Sequence, residues 1–196
     1  MANGPRFHVL FRRRRSGKTN FYYRKKLIFS NQLRVIVRSS LKNMTIQVAE
    51  AQIIGDKILS ATRTSELVKD FNWQGNTGNI PASYLTGYLA GKKALKAEVE
   101  GGVLDLGIAK ASYGNRLFAA LKGLVDAGMD IPHNEKIYPT EERIRGEHIA
   151  KYADVLSEGV THSQFQFSLY KKKGFKPQDL PTHFDAVKNA ITKKYK

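Results

Sequence analysis

Residues 33–48 read LRVIVRSSLKNMTIQV. Leu33, Val35 and Val37 alternate with Arg34, Ile36 and Arg38, and Met44, Ile46 and Val48 resume the alternation after the polar stretch 39–43. A pleated strand turns successive side chains to opposite faces, so this period of two writes a strand with one buried side. Two such runs across a short polar break write an antiparallel hairpin. Outward from it, residues 53–62, interrupted by Gly55 and Asp56, supply a third strand or the arm of a second hairpin. Thr64, with Glu66 behind it, starts a short helix through Phe71, and Gly75, Asn76 and Gly78 mark a loop.

Pro81 opens a stronger helix in which Tyr84, Leu85, Tyr88 and Leu89 recur at three-and-four spacing. Gly87, Ala90, Gly91 and Ala94 give it a small-residue face, expected to pack closely on the sheet. Residues 103–108, VLDLGI, form a short and almost wholly apolar run, the pattern of a central strand covered on both faces by helices. Asn115 caps a further helix carrying Leu117, Phe118, Leu121, Leu124 and Val125, which Gly128 stops. This order of elements predicts an α/β domain with a mixed sheet. After a loop from Pro132 to Pro139, Thr140 with Glu141 and Glu142 starts a helix bearing Ile144, Ile149, Tyr152, Ala153 and Leu156. The compact unit is expected over 27–156. A basic extension follows over 157–196, with Phe165, Phe167 and Leu169 alternating as in a strand and an amphipathic helix of Phe184, Val187 and Ile191 after Pro181. Whether this extension folds by itself or only on RNA stays open at this point.

Charge narrows the function. Lysine and arginine number 33 against 17 aspartates and glutamates, and the first acidic residue is Glu50. Such an excess points to a polyanion, because each neutralised phosphate releases condensed counterions. Residues 1–26 carry most of the early charge with no apolar period, and therefore read as an arm that orders on a phosphate surface. Arg12, Arg13, Arg14 and Arg15 can each grip phosphate oxygens with a planar fork of donors. Phe21, Tyr22 and Tyr23 interrupt the arm, either to stack on unpaired bases or to anchor it to the domain. Arg34 and Arg38 share one face of their strand, an arrangement suited to a helical RNA backbone read by shape.

Other chemistries find little footing. The chain has no cysteine, which excludes disulfides and thiolate metal sites. No apolar run approaches the roughly 20 residues that span a bilayer. Gly17-Lys18-Thr19 looks like the end of a phosphate-binding loop, but Arg12 stands where that loop requires a glycine, so Lys18 reads as a phosphate contact. The five histidines never fall at the HExxH spacing, and no serine occupies a nucleophile elbow. Asp105, with Asp126 and Asp130, is the one constellation a magnesium-dependent nuclease could use; the preferred reading is that Asp105 hydrogen-bonds backbone or faces the RNA. A nonspecific basic nucleic-acid chaperone is the other competing class.

Several motifs then stand together in one order: the arginine cluster 12–15, LRVIVRS at 33–39, TGNIPA at 77–82, YLTGYLAGK at 84–92, VLDLG at 103–107, GNR at 114–116, DAG at 126–128, IPHNE at 131–135 and RGEHI at 145–149. In these, over about residues 5–156, the chain resembles the archaeal form of large-ribosomal-subunit protein L-eighteen, a 5S-rRNA-binding family whose eukaryotic relative is protein L-five. The resemblance implies a cytoplasmic, ribosomal protein, not an enzyme and without a cofactor or metal. It would bind 5S rRNA and help attach it to the large-subunit rRNA in the central protuberance, beside neighbouring large-subunit proteins. Carried onto this chain, Arg12, Arg13, Arg14, Arg15, Lys18, Arg24, Lys25, Arg34 and Arg38 are expected phosphate contacts, with Tyr22 stacking or anchoring. Asn115, Arg116, His133, Asn134 and Arg145 fall at matching loop and helix-end positions, where polar groups either meet RNA or stabilise the loop.

Overall fold

The computed structural model describes residues 4–157 and 166–195. Two short helices, α1 (Arg12–Arg15) and α2 (Phe21–Phe29), precede strands β1 (Arg34–Ser39), β2 (Met44–Ala51) and β3 (Asp56–Arg63). Helices α3 (Thr64–Phe71) and α4 (Ile80–Lys96), strand β4 (Val103–Asp105) and helix α5 (Arg116–Asp126) follow. The chain then forms α6 (Glu141–Arg145), α7 (Glu147–Ser157), α8 (Ser168–Lys172) and α9 (Leu180–Lys194). The sheet order is β3-β2-β1-β4; both hairpins are antiparallel and β4 lies parallel to β1. In the first hairpin Val35 faces Val48 and Val37 faces Ile46, so the apolar alternation of both strands meets on one face. The tip of the second hairpin leaves Ile53 and Ile54 exposed.

Burial on both sides of α4 organises the molecule. Residues 81–91 are all buried, as befits a helix apolar around its whole circumference. On one side Val35, Val37, Ile46 and Val48 of the sheet close a core with Leu117, Leu121 and Leu124 of α5. On the other, Leu85 and Leu89 join Leu67, Trp73, Phe184 and Ile191 in a second core. The small-residue face of α4 packs on α5, not on the sheet as expected: a β-carbon at Gly87 would lie 2.0 Å from the Ala120 carbonyl oxygen, and one at Gly91 2.5 Å from the Ala127 β-carbon. The two backbones can approach this closely only without side chains between them.

Other expectations are also corrected. β4 is an edge strand in the sheet order, its length cut to three residues before the turn at Gly107 (φ +65°), and Val103 and Leu104 are only half-buried. The single helix expected from Thr140 is two, divided at Gly146, whose φ of 86° is a left-handed helix stop. Phe167 and Leu169 lie in or beside helix α8 instead of a strand, with Tyr170 buried between them and the second core; Phe165 falls outside the described residues. Within the arm, Asn20 Oδ1 accepts from Tyr23 N at 3.1 Å to cap α2, and Leu27 is buried, so position 26 lies inside a helix and not at a boundary. Nor does the core end at 156, since Leu180, Phe184, Val187 and Ile191 of α9 are all buried in the second cluster. No helix among the described residues is long and apolar enough to cross a membrane.

Candidate nucleic-acid interface

The sheet face away from α4 and α5 carries Arg34 and Arg38, and a chain of alternating charges crosses it. Arg24 of α2 meets Asp56 Oδ2 at 2.9 Å, and Asp56 Oδ1 meets Arg34 Nη2 at 2.5 Å. Arg34 Nη1 lies 3.4 Å from Asp105 Oδ2, while Asp105 Oδ1 pairs with Arg38 Nη2 at 2.9 Å. Asp105 Oδ1 also accepts from Gly107 N at 2.8 Å, and its backbone carbonyl accepts from Arg38 Nη1 at 2.5 Å. Of the two readings of Asp105, the backbone contact is present, with two arginine partners added. Burial pushes the Asp56 carboxyl up, but the hydrogen bond from Arg34 and the charges of Arg24 and Arg34 outweigh it and hold the group below the usual carboxylate range.

This network engages Arg34 from within. Its side chain is 1% exposed and faces carboxylates, where the sequence reading expects a phosphate contact. The strand pattern placed it on the correct face; the carboxylate that covers it, Asp56, was read only as part of a turn. Arg38, at 44% side-chain exposure, and Arg24, at 40%, keep one side open to solvent while their other side is paired.

The arm folds over the same face. All four arginines of α1 are exposed, and none has a carboxylate partner among the described residues. Arg13 Nε donates to Thr19 Oγ1 at 2.8 Å, which ties α1 to the turn before α2. Tyr22 is 72% exposed, with Lys26 Nζ 4.7 Å from its ring centroid, and Lys25 lies over Phe29. Lys18, Arg13, Arg24 and Arg38 converge on a pocket of about 320 Å³ that also includes Thr19, Asn20, Tyr23, Asp105, Gly107 and Ile108. Thus Arg13, Lys18 and Arg24 of the expected arm residues come together with Arg38.

The remaining predicted residues make local contacts. Asn115 Oδ1 accepts from Leu117 N and Phe118 N at 2.9 and 3.0 Å, capping α5, and Arg116 Nη1 donates to the Gly78 carbonyl at 3.1 Å. His133 Nδ1 lies 2.6 Å from the Ile131 carbonyl and its ring packs on Tyr138, whereas Asn134 Oδ1 accepts from Lys136 N at 3.0 Å. Arg145 pairs with Asp185 at 2.5 Å, joining α6 to α9. These five are not drawn into the arm-side pocket. Two of the three carboxylates considered for metal catalysis are separately engaged: Asp105 by Arg34 and Arg38, and Asp126 by the Tyr84 hydroxyl at 2.6 Å. No group of three acidic or histidine side chains among the described residues is placed to hold a metal ion.

Comparison with known proteins gives these features a context. A family described as "Ribosomal large subunit proteins 60S L5, and 50S L18" matches residues 5–101 and 101–134. Among curated relatives, the large ribosomal subunit protein uL18 of Aeropyrum pernix is 48% identical over 197 aligned residues, covering 100% of this chain and 92% of the relative. The match thus runs through the arm and both cores and includes the C-terminal helix, and the chain belongs to the family of ribosomal large-subunit proteins that comprises 60S L5 and 50S L18.

Proposed function

We propose that this protein binds 5S rRNA through its N-terminal arm and the adjoining sheet face, and helps attach that RNA to the large-subunit rRNA in the central protuberance. The coarser role follows from family membership: it is a structural protein of the large ribosomal subunit, working on the ribosome in the cytoplasm. The observation that carries the finer reading is the division among the arginines. Arg24, Arg34 and Arg38 are paired with carboxylates, while Arg12, Arg13, Arg14 and Arg15 stand exposed without one among the described residues. Unneutralised guanidinium groups set side by side on a short helix favour closely spaced phosphates, and the paired set fixes the platform from which they project. Specificity is then a matter of how a fixed surface fits a folded RNA, as double-stranded RNA is read chiefly by its shape and backbone.

Titration with 5S rRNA and with an unrelated structured RNA of equal length, from low to high salt, tests the reading. A 5S advantage that persists as salt rises is expected. Parallel weakening of both RNAs would leave only general phosphate attraction and overturn it.

A further inference from the structure

The pocket between the arm and the β4 edge is too small to admit a duplex. Its volume of about 320 Å³ lies at the lower end of sites for small molecules. Its composition is also not that of a plain anion hole. Four cationic side chains, Arg13, Lys18, Arg24 and Arg38, share it with the ring of Tyr23, the apolar side chain of Ile108 and the carboxylate of Asp105. Arg13 and Lys18 are exposed, whereas Asp105 is 5% exposed, so cations stand at the mouth and the acceptor is deeper. An inorganic phosphate would use the cations and leave the ring and Ile108 without purpose. A nucleotide would use both kinds of surface: its phosphate meets the guanidinium and ammonium groups and its base lies on an aromatic or aliphatic surface, while Asp105 holds Arg38 in place.

We infer that this pocket receives one unpaired nucleotide, splayed out of the bound RNA, with its phosphate at Arg13, Lys18 and Arg38 and its base against Tyr23 and Ile108. The inference rests on the RNA-binding reading above and sharpens it, because a site for a single base distinguishes single-stranded positions from helical ones. The side chains that line the pocket are held by contacts within the protein. Arg13 is held by Thr19, Arg38 by Asp105, and Arg24 by Asp56, and the Asn20 cap fixes the backbone of Tyr23. Little side-chain ordering is then left for the moment of binding. Tyr23 is 39% exposed and Ile108 64% exposed, so both retain surface for a ligand.

The test compares the full-length protein with Tyr23→Leu and Tyr23→Phe against three RNAs: 5S rRNA, a short single-stranded oligoribonucleotide and a blunt RNA duplex. Thermal melting of each variant verifies that folding is intact. Tyr23→Leu is expected to weaken the single strand and 5S rRNA by about tenfold, the scale of one lost base–aromatic stack. It should leave the duplex and the salt dependence unchanged, since no charge is removed, and Tyr23→Phe should retain wild-type affinity. An unchanged affinity for the single strand in Tyr23→Leu overturns the inference, as does an equal loss on all three RNAs, which would mean a general disturbance of the arm. The two proposals can fail separately. Absence of a 5S advantage over an unrelated structured RNA counts against the ribosomal reading, whereas the single-strand and duplex arms alone decide the pocket.

Discussion

At Arg34 the cost of burying a guanidinium is offset by two carboxylates, Asp56 and Asp105, that approach from different strands. Removing the cation would leave both acids facing each other's charge in a desolvated place, and breaking a buried pair in this way costs about 3–5 kcal/mol. Arg34→Ala is therefore expected to lower unfolding free energy by that amount in urea titrations, while leaving the salt dependence of RNA binding as it was. A small stability loss with a shallower salt slope would restore Arg34 to the RNA surface. His183 offers a second residue-level test. Its Nε2 accepts from Gln74 N at 3.1 Å and its ring stacks on Trp73 at 5.1 Å. Burial, and then the charge of Lys173, hold its pKa below the ordinary 6.5. The unfolded chain thus takes up this proton first, so the neutral ring's contribution is complete above 6.5 and is lost as pH falls through the folded value. Urea melts followed by fluorescence of Trp73, the one tryptophan, should show a decline in stability on acidification that is smaller in His183→Gln. An identical decline in the variant would assign it to other groups.

Among the elements, the α4–α5 contact is the tightest. The β-carbon of Gly87→Ala would meet a backbone carbonyl that cannot rotate away, and the expected loss is about 3 kcal/mol, at the upper end for overpacking. A calorimetric melt unchanged from wild type would contradict so close an approach. Helix α9 belongs to the second core, where Phe184 is 2% exposed and packs against Tyr84 with ring centroids 5.5 Å apart. Phe184→Ala should cost about 3–5 kcal/mol of global stability; a loss confined to local fraying of α9 would show instead that the helix is an appendage. These two contacts mark the limit of what the sequence discloses. Alternation at 33–48 and the three-and-four spacing of α4 and α5 give the element types and their buried sides. Periodicity names the buried side, however, and not its neighbour. The glycine face of α4 could suit a sheet or a helix equally well, and Phe184, Val187 and Ile191 show an apolar stripe without showing that the core across from it is already waiting. Likewise β4 looks central because its run is apolar, whereas its edge position is set by the sheet order, which a local run does not disclose. At the site, the exposed arginine cluster was legible from charge alone. The pairing of Arg34 was not, since it depends on Asp56, which becomes its neighbour only when the second hairpin folds back.

For the whole molecule, the formal net charge of +16 matters less than where it is left unneutralised. The body is tied together by two cores that share α4, and the carboxylates on the sheet face hold Arg24, Arg34 and Arg38 in register. The arm adds four exposed arginines to that platform, and among the described residues α1 and α2 bury only Leu27, at the far end of α2. Affinity and folding should accordingly be separable, with the charges of α1 acting on RNA and not on the stability of the body. The most direct measurement is the slope of 5S rRNA affinity against salt concentration, on logarithmic axes, for the wild type and for the variant with Arg12, Arg13, Arg14 and Arg15 all replaced by alanine. Each lost phosphate contact should reduce the slope by about one. The expected result is weaker binding, a slope shallower by about three to four, and an unchanged cooperative melt; an unaltered slope would contradict the account, because the arm would then not be meeting phosphates.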